Sequence, residues 1–326
     1  MIQSIKYLSL ILFFFLNTAT AHNFSANASG NSRRDVPHSF DKTINNYHAD
    51  LSSHNIHKKG IKVVAAENFY GNIAQLIAGE HADVASIITN IHSDPHLFTT
   101  SAKTAIMLQE ADVIIFNGAD YDLWIQPFLN IKNNDRFIID VSTLVNTHSG
   151  DNPHVWYKPE TFPVVAKKLT EIFSTLKPKY KDTFQLNLKK FLQRYKSVEV
   201  LIHEIKSEFQ GTKVTATEPI FGYMAEALGL TMMGQKFQWV IMNDSELTPE
   251  ILIQYQELLQ NKLVRVLFHN EQVKGNNVEN ILKIAKARNI PIISVTEIMP
   301  KEGDVVIWLS NILGQTKKAL TSTKSI

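Results

Sequence analysis

Twelve histidines and no cysteine set the chemical repertoire of this 326-residue sequence. Disulfide frameworks, cysteine zinc sites, iron–sulfur clusters, catalytic thiols and a lipidated N-terminal cysteine are excluded. A bound metal would have to be held by imidazole and carboxylate. Two segments repeat one local pattern, Asp94-Pro95-His96-Leu97-Phe98 and Asn152-Pro153-His154-Val155-Trp156. Proline fixes its own φ and pushes the residue before it into extended backbone, and the Asp or Asn ahead can cap the turn. Each pattern therefore presents its histidine from a stiff loop, with an aromatic two residues later to keep water off one side. A ligand held this way meets a metal without spending binding energy on ordering a loop. Pro37-His38 shows that the dipeptide alone says little; the five-residue pattern carries the signal.

Two imidazoles need at least one more ligand. Glu218 and Glu297 both stand at expected strand ends in the second half of the chain, where open parallel sheets contact their ligands. Taken singly, each also reads as a helix cap or a solvated carboxylate. Successive members of the set His96, His154, Glu218 and Glu297 lie 58 to 79 residues apart, so only a folded cleft can gather them. Glu67 and Asn68 are weaker candidates: they could orient an imidazole from behind, but a helix cap is the preferred reading of Glu67. His92 and His148 read as solvated loop residues near the cleft mouth, and His203 and His269 as surface or satisfied histidines. Trp124, Trp156, Trp239 and Phe221 read as core or cleft-wall aromatics.

The elements that must position these residues alternate. Strands are expected at 61–66, 82–88, 112–117 and 137–141, with helices between, and continuous apolar strands separated by helices imply a parallel sheet covered on both faces. Between Pro159 and Gln210 the period becomes helical. Phe184, Leu188, Phe191, Tyr195, Val198, Ile202 and Ile205 are spaced three or four apart, as on one face of a helix over 180–209. Alternation resumes with strands at 213–217, 264–269 and 290–295 and a last helix over about 304–320. The two halves begin alike: Val64-Ala65-Ala66-Glu67-Asn68-Phe69-Tyr70-Gly71 matches Thr215-Ala216-Thr217-Glu218-Pro219-Ile220-Phe221-Gly222, with Glu and Gly in register. The expected fold is α/β, with two similar parallel-sheet lobes joined by one long helix and the metal site in the cleft between them. The expected division is a signal peptide at 1–21, a flexible His-containing tail at 22–59, a first lobe at 60–179, the linking helix at 180–210 and a second lobe at 211–326.

Lys6, the apolar run Leu8 to Leu16 and Ala19-Thr20-Ala21 read as a cleavable export signal, too short to span a membrane. Residues 22–59 are polar and rich in Asn, Ser and His, a composition that does not support a packed core. Lys plus Arg number 33 and Asp plus Glu 31, a net charge of +2 that gives no reason to expect nucleic acid as a partner. The protein is expected to be periplasmic, not lipidated and monomeric.

Residues from about 61 to 320 resemble the solute-binding proteins of bacterial ABC importers for zinc and manganese, the cluster A-I family. The resemblance is carried by Asp94-Pro95-His96, Asn117-Gly118-Ala119-Asp120-Tyr121-Asp122, Asn152-Pro153-His154-Val155-Trp156-Tyr157, Thr217-Glu218-Pro219 and the Ile290-Pro291-Ile292 strand. It implies two α/β lobes around a rigid backbone helix. It also implies that His96 and His154 are the first-lobe ligands, Glu218 the third and Glu297 the fourth. Zinc-specific members commonly carry a histidine where this chain has Glu218, and many carry a His/Asp-rich loop inside the first lobe. Both departures weaken an assignment to zinc alone, and two imidazoles with two carboxylates also suit manganese or ferrous iron. The implied function is capture of a divalent transition metal, zinc or manganese, for an inner-membrane ABC permease. The rival is a secreted metal-dependent hydrolase using the same cleft, against which stands the absence of His-Glu-x-x-His and Gly-x-Ser-x-Gly. Adhesion, an activity often attributed to relatives, has no support in the residues themselves.

Overall fold

The computed structural model describes residues 60–91, 95, 98–130 and 136–322. The expected leader, the His-containing tail, His92 and His96 lie outside the described residues. Eight strands are present among them: β1 (Ile61–Glu67), β2 (Ala82–Ile88), β3 (Val113–Phe116), β4 (Phe137–Asp140), β5 (Lys213–Ala216), β6 (Thr231–Met233), β7 (Leu267–Asn270) and β8 (Ile292–Val295). They form two four-stranded sheets, ordered β2-β1-β3-β4 and β6-β5-β7-β8, and every pairing is parallel. The two halves thus share a topology as well as a sequence pattern. β6 is a strand the sequence does not announce. Its three residues are exposed or half-buried, too few to show either alternation or an apolar run.

Helices of six residues or more are α1 (Asn68–Ala78), α2 (Ala102–Glu110), α3 (Thr161–Leu176), α4 (Lys181–Phe209), α5 (Gly222–Ala227), α6 (Gln235–Met242), α7 (Pro249–Gln260), α8 (Asn276–Ala287) and α9 (Val305–Ser322). Each sheet is covered on both faces, which is why β3 is apolar throughout and β1 carries the apolar run Val63 to Ala66. In β1, Val63 and Ala65 join the large central core while Val64 and Ala66 face a smaller one with Ile114 and Phe116 of β3. The second sheet divides in the same way. Val214, Ala216 and Phe268 face the central core, and Leu267 packs with Phe237, Tyr255 and Ile281 on the far side.

α4 is 29 residues long, about 44 Å at 1.5 Å per residue. Its buried face is Phe184, Phe191, Tyr195, Val198, Ile205 and Phe209, the stripe that the three-and-four spacing announces. It packs on α1 and α3 of the first half and on α9 at the end of the second. Asp304 joins these elements. Its carboxylate accepts from the backbone of Val306 and Ile307 at the start of α9 and from Arg194 of α4 at 2.6 Å.

The segment after β8 is strapped to the first half. The Asn68 side chain donates to the Met299 carbonyl at 2.6 Å and accepts the Met299 N–H at 3.0 Å. The Tyr157 hydroxyl donates to the Thr296 carbonyl at 2.9 Å. Glu297 is therefore anchored from both lobes.

Candidate metal site

The turn after β3 and the Pro153 loop bring His154 into the cleft. Asn152 fixes it there, with its Oδ1 accepting the His154 backbone N–H at 3.2 Å and meeting the ring Nδ1 at 2.6 Å. With Nδ1 engaged, Nε2 is the nitrogen that faces the site, and a hydrogen bond on the far nitrogen sets both ring orientation and ligand basicity. The Asn152 Nδ2 reaches across to the Pro219 carbonyl at 2.7 Å, and the Tyr223 hydroxyl donates to the Asn152 carbonyl at 2.8 Å. Trp156 lies edge-on to the imidazole, with ring centroids 5.1 Å apart, so the aromatic of the five-residue pattern does wall off one side.

Glu218 follows β5 and Glu297 follows β8. Their carboxylates and the His154 ring place one ligand atom each within 4.8 Å of one another, and all three side chains are buried. Donors about 2.2 Å from an ion in tetrahedral geometry stand about 3.6 Å apart, so inward movements on the order of 1 Å close the set on a metal. Among the described residues no other group of three or more such side chains is this close. A pocket of about 550 Å³ in the second lobe reaches Glu218 and Glu297 past Gln272 and Val278.

The donors around the carboxylates were not foreseen. Asn270, at the end of β7, donates from one Nδ2 to Glu218 Oε2 at 2.8 Å and to Glu297 Oε1 at 2.6 Å. The Tyr121 hydroxyl donates to Glu297 Oε2 at 2.7 Å. Burial, and then the Glu297 charge, hold this phenol well above its ordinary range, which keeps its proton in place as a donor. The Gln272 side chain accepts the Glu297 N–H at 3.1 Å. One signal could have found Asn270: it is the counterpart in the repeat of Asn117, which follows β3 inside the Asn117-to-Asp122 segment.

Glu67 departs from its expected role. It occupies the N-cap position of α1 but its side chain makes no cap hydrogen bond. It lies fully buried beside Asp122. Burial first, and the Asp122 charge next, push its carboxyl well above the ordinary carboxylate range. Asp122 is raised by burial to about 6, held back by the N–H groups of Gly118 and Asn117 that donate to it. His148 and His203 are exposed. His269 is half-buried at a strand end, and burial lowers its pKa.

The glycine shared by the repeat has two uses. A Cβ on Gly71 would stand 2.1 Å from the Ser86 hydroxyl of β2, whereas one on Gly222 would stand 3.0 Å from Asn152 Nδ2. The first lets a helix lie close to its own sheet. The second makes room for the residue that orients His154.

Comparison with known proteins gives a consistent result. A family model described as "Zinc-uptake complex component A periplasmic" (ZnuA) matches residues 63–319. The iron ABC transporter substrate-binding lipoprotein MtsA of Streptococcus pyogenes serotype M1 is 27% identical over 264 residues, covering 74% of this chain and 82% of the relative. The manganese ABC transporter substrate-binding lipoprotein PsaA of Streptococcus pneumoniae serotype 4 is 27% identical over 266 residues, with 75% and 84% covered. Among solved structures, the periplasmic zinc binding protein TroA from Treponema pallidum superimposes with a TM-score of 0.67 at 18% identity, over 79% of this chain and 98% of that one. The Mn-bound periplasmic metal binding protein from Candidatus Liberibacter asiaticus gives 0.66 at 19%, over 81% and 100%. At these identities the structural likeness is one of fold.

Proposed function

The chain belongs to the zinc-uptake complex component A family, and on that footing we propose that it captures a divalent transition metal in the periplasm and hands it to an inner-membrane ABC permease. The observation that carries this reading is the site itself: one imidazole and two carboxylates, from three separate loops, gathered and buried within 4.8 Å. His154, Glu218 and Glu297 are the ligands in this reading, and His96, whose motif duplicates that of His154, completes the set. The lobes at 60–179 and 211–326, linked through 180–210, are the two jaws that hold the ion between them.

Family members are substrate-binding components of transporters rather than enzymes. For this chain four protein ligands would leave no open coordination position, which a catalytic metal keeps. The cargo we assign is zinc or manganese, with ferrous iron also suited to the donor set. Carboxylates favour the harder ions while raw affinity still rises toward zinc. The relatives MtsA and PsaA are named lipoproteins, whereas this sequence has no cysteine. We read it as a monomer, free in the periplasm once its leader is cleaved. Among the described residues no helix is long and apolar enough to cross a membrane.

Melting of metal-stripped protein with zinc, manganese and ferrous iron tests this. At about 1,000 times Kd, a metal that binds only the folded state stabilises it by roughly 4 kcal/mol. A clear rise in Tm with at least one of the three is expected. No rise with any of them would refute capture, and efficient hydrolysis of an ester or phosphate by the loaded protein would favour an enzyme.

A further inference from the structure

The order of the second sheet, β6-β5-β7-β8, puts β7 between the strands that lead to Glu218 and Glu297. The residue at its end therefore sits between the two carboxylates, and that residue is Asn270. Its orientation is set on three sides. The backbone N–H donates to Thr217 Oγ1 at 3.1 Å, Oδ1 accepts the Gln272 N–H at 3.2 Å, and Nδ2 is left to face Glu218 Oε2 at 2.8 Å and Glu297 Oε1 at 2.6 Å. The backbone N–H of Gln272 also settles the amide assignment, since a flipped side chain would set two N–H groups against it and an oxygen against two carboxylates.

Resting on the capture reading above, we propose that Asn270 is a positioning residue that pre-aligns the two carboxylates and thereby sets how well the site holds manganese relative to zinc. Two buried carboxylates this close repel one another, and one amide with two donors offsets that repulsion while fixing the distance between them. Manganese binds chiefly through hard oxygen donors, whereas zinc draws more on imidazole and accepts four-coordinate geometry. Loss of the carboxylate alignment therefore weakens the oxygen-dependent ion more. Asn117, its counterpart after β3, does related work in the first lobe: its Nδ2 holds the Pro153 carbonyl at 2.8 Å, one residue ahead of His154.

Calorimetric titration of metal-stripped wild type, Asn270→Leu and Asn270→Ser with manganese and with zinc tests the proposal. Asn270→Leu keeps the volume and removes both donors. Outer groups that orient metal ligands are worth on the order of 10- to 100-fold in affinity, and manganese is expected to lose that much while zinc loses clearly less. Asn270→Ser, whose hydroxyl can serve one carboxylate at most, is expected to fall between, and it takes the place of the leucine variant if that one fails to fold. Equal losses for the two metals, as a merely structural role would give, would overturn the proposal, and so would unchanged affinity for both. Wild type that binds neither metal would overturn the capture reading itself, and the inference with it.

Discussion

Glu67 and Glu218 occupy the same place in two copies of one motif, one as the last residue of β1 and the other two residues past β5, yet they have opposite fates. Glu67 is sealed against Asp122, and burial pushes its carboxyl well above the ordinary carboxylate range. Glu218 faces His154 and Glu297 and accepts a hydrogen bond from Asn270. The strand and the turn are equivalent, so the difference comes from the neighbours. Two residues past β8 stands Glu297, whereas two past β4 stands Ser142. In the first lobe the second carboxylate comes instead from the loop after β3, and no imidazole of the described residues joins that pair to form a donor set. A repeated scaffold supplies two strand-end positions, and the side chains around each decide which becomes a site.

The sharpest way to break this contrast is to neutralise each glutamate in turn. Glu218→Gln removes a ligand and should abolish most of the roughly 4 kcal/mol of metal-induced stabilisation expected at about 1,000 times Kd. Glu67→Gln changes a side chain outside the donor set and should leave that shift intact. Metal-dependent melting of the two variants side by side reads this directly, and a Glu67→Gln protein that lost its metal response would erase the distinction.

A smaller effect follows from the acid pair alone. The folded-state values of Glu67 and Asp122 are raised, so the native protein retains protons that the unfolded chain releases. The stability of the metal-stripped protein should therefore fall as pH rises from the ordinary carboxylate range, about 4, through about 6, where Asp122 titrates. Glu67→Gln should flatten that slope, measurable by denaturant titration at pH 5 and pH 7.5; an unchanged slope would remove the pair from the account.

The smallest effect expected distinguishes the two glycines. Gly222→Ala brings a Cβ to 3.0 Å from Asn152 Nδ2 and should weaken metal binding by less than about tenfold, at the low end for a group that orients a ligand. Gly71→Ala crowds Ser86 instead and should lower stability by about 1–3 kcal/mol, as overpacking does, with metal affinity kept. Titration and melting of both variants would sharpen the contrast, or dissolve it if the two behaved alike.

Much of this was legible in the sequence, for physical reasons. Apolar strands alternating with helices announce parallel sheets, and the stripe from Phe184 to Ile205 announces α4 because a long amphipathic helix repeats its signal many times. His154 was legible because proline and asparagine leave a local imprint. Asn270 and Gln272 were not, since a polar residue at a strand end looks like any loop residue until the strand order places it between two carboxylates. β6 was too short to carry a period. Glu67 looked like a helix cap because the motif encodes the backbone turn and not the side chain that Asp122 brings alongside from the next loop.

The most direct test of the central claim is anomalous scattering from crystals of the protein loaded with zinc or manganese, recorded at each metal's absorption edge. The account predicts one strong peak within bonding distance of His154 Nε2 and of oxygens of Glu218 and Glu297, about 2.0–2.2 Å for zinc. A peak elsewhere in the molecule, with none between these three side chains, would contradict it.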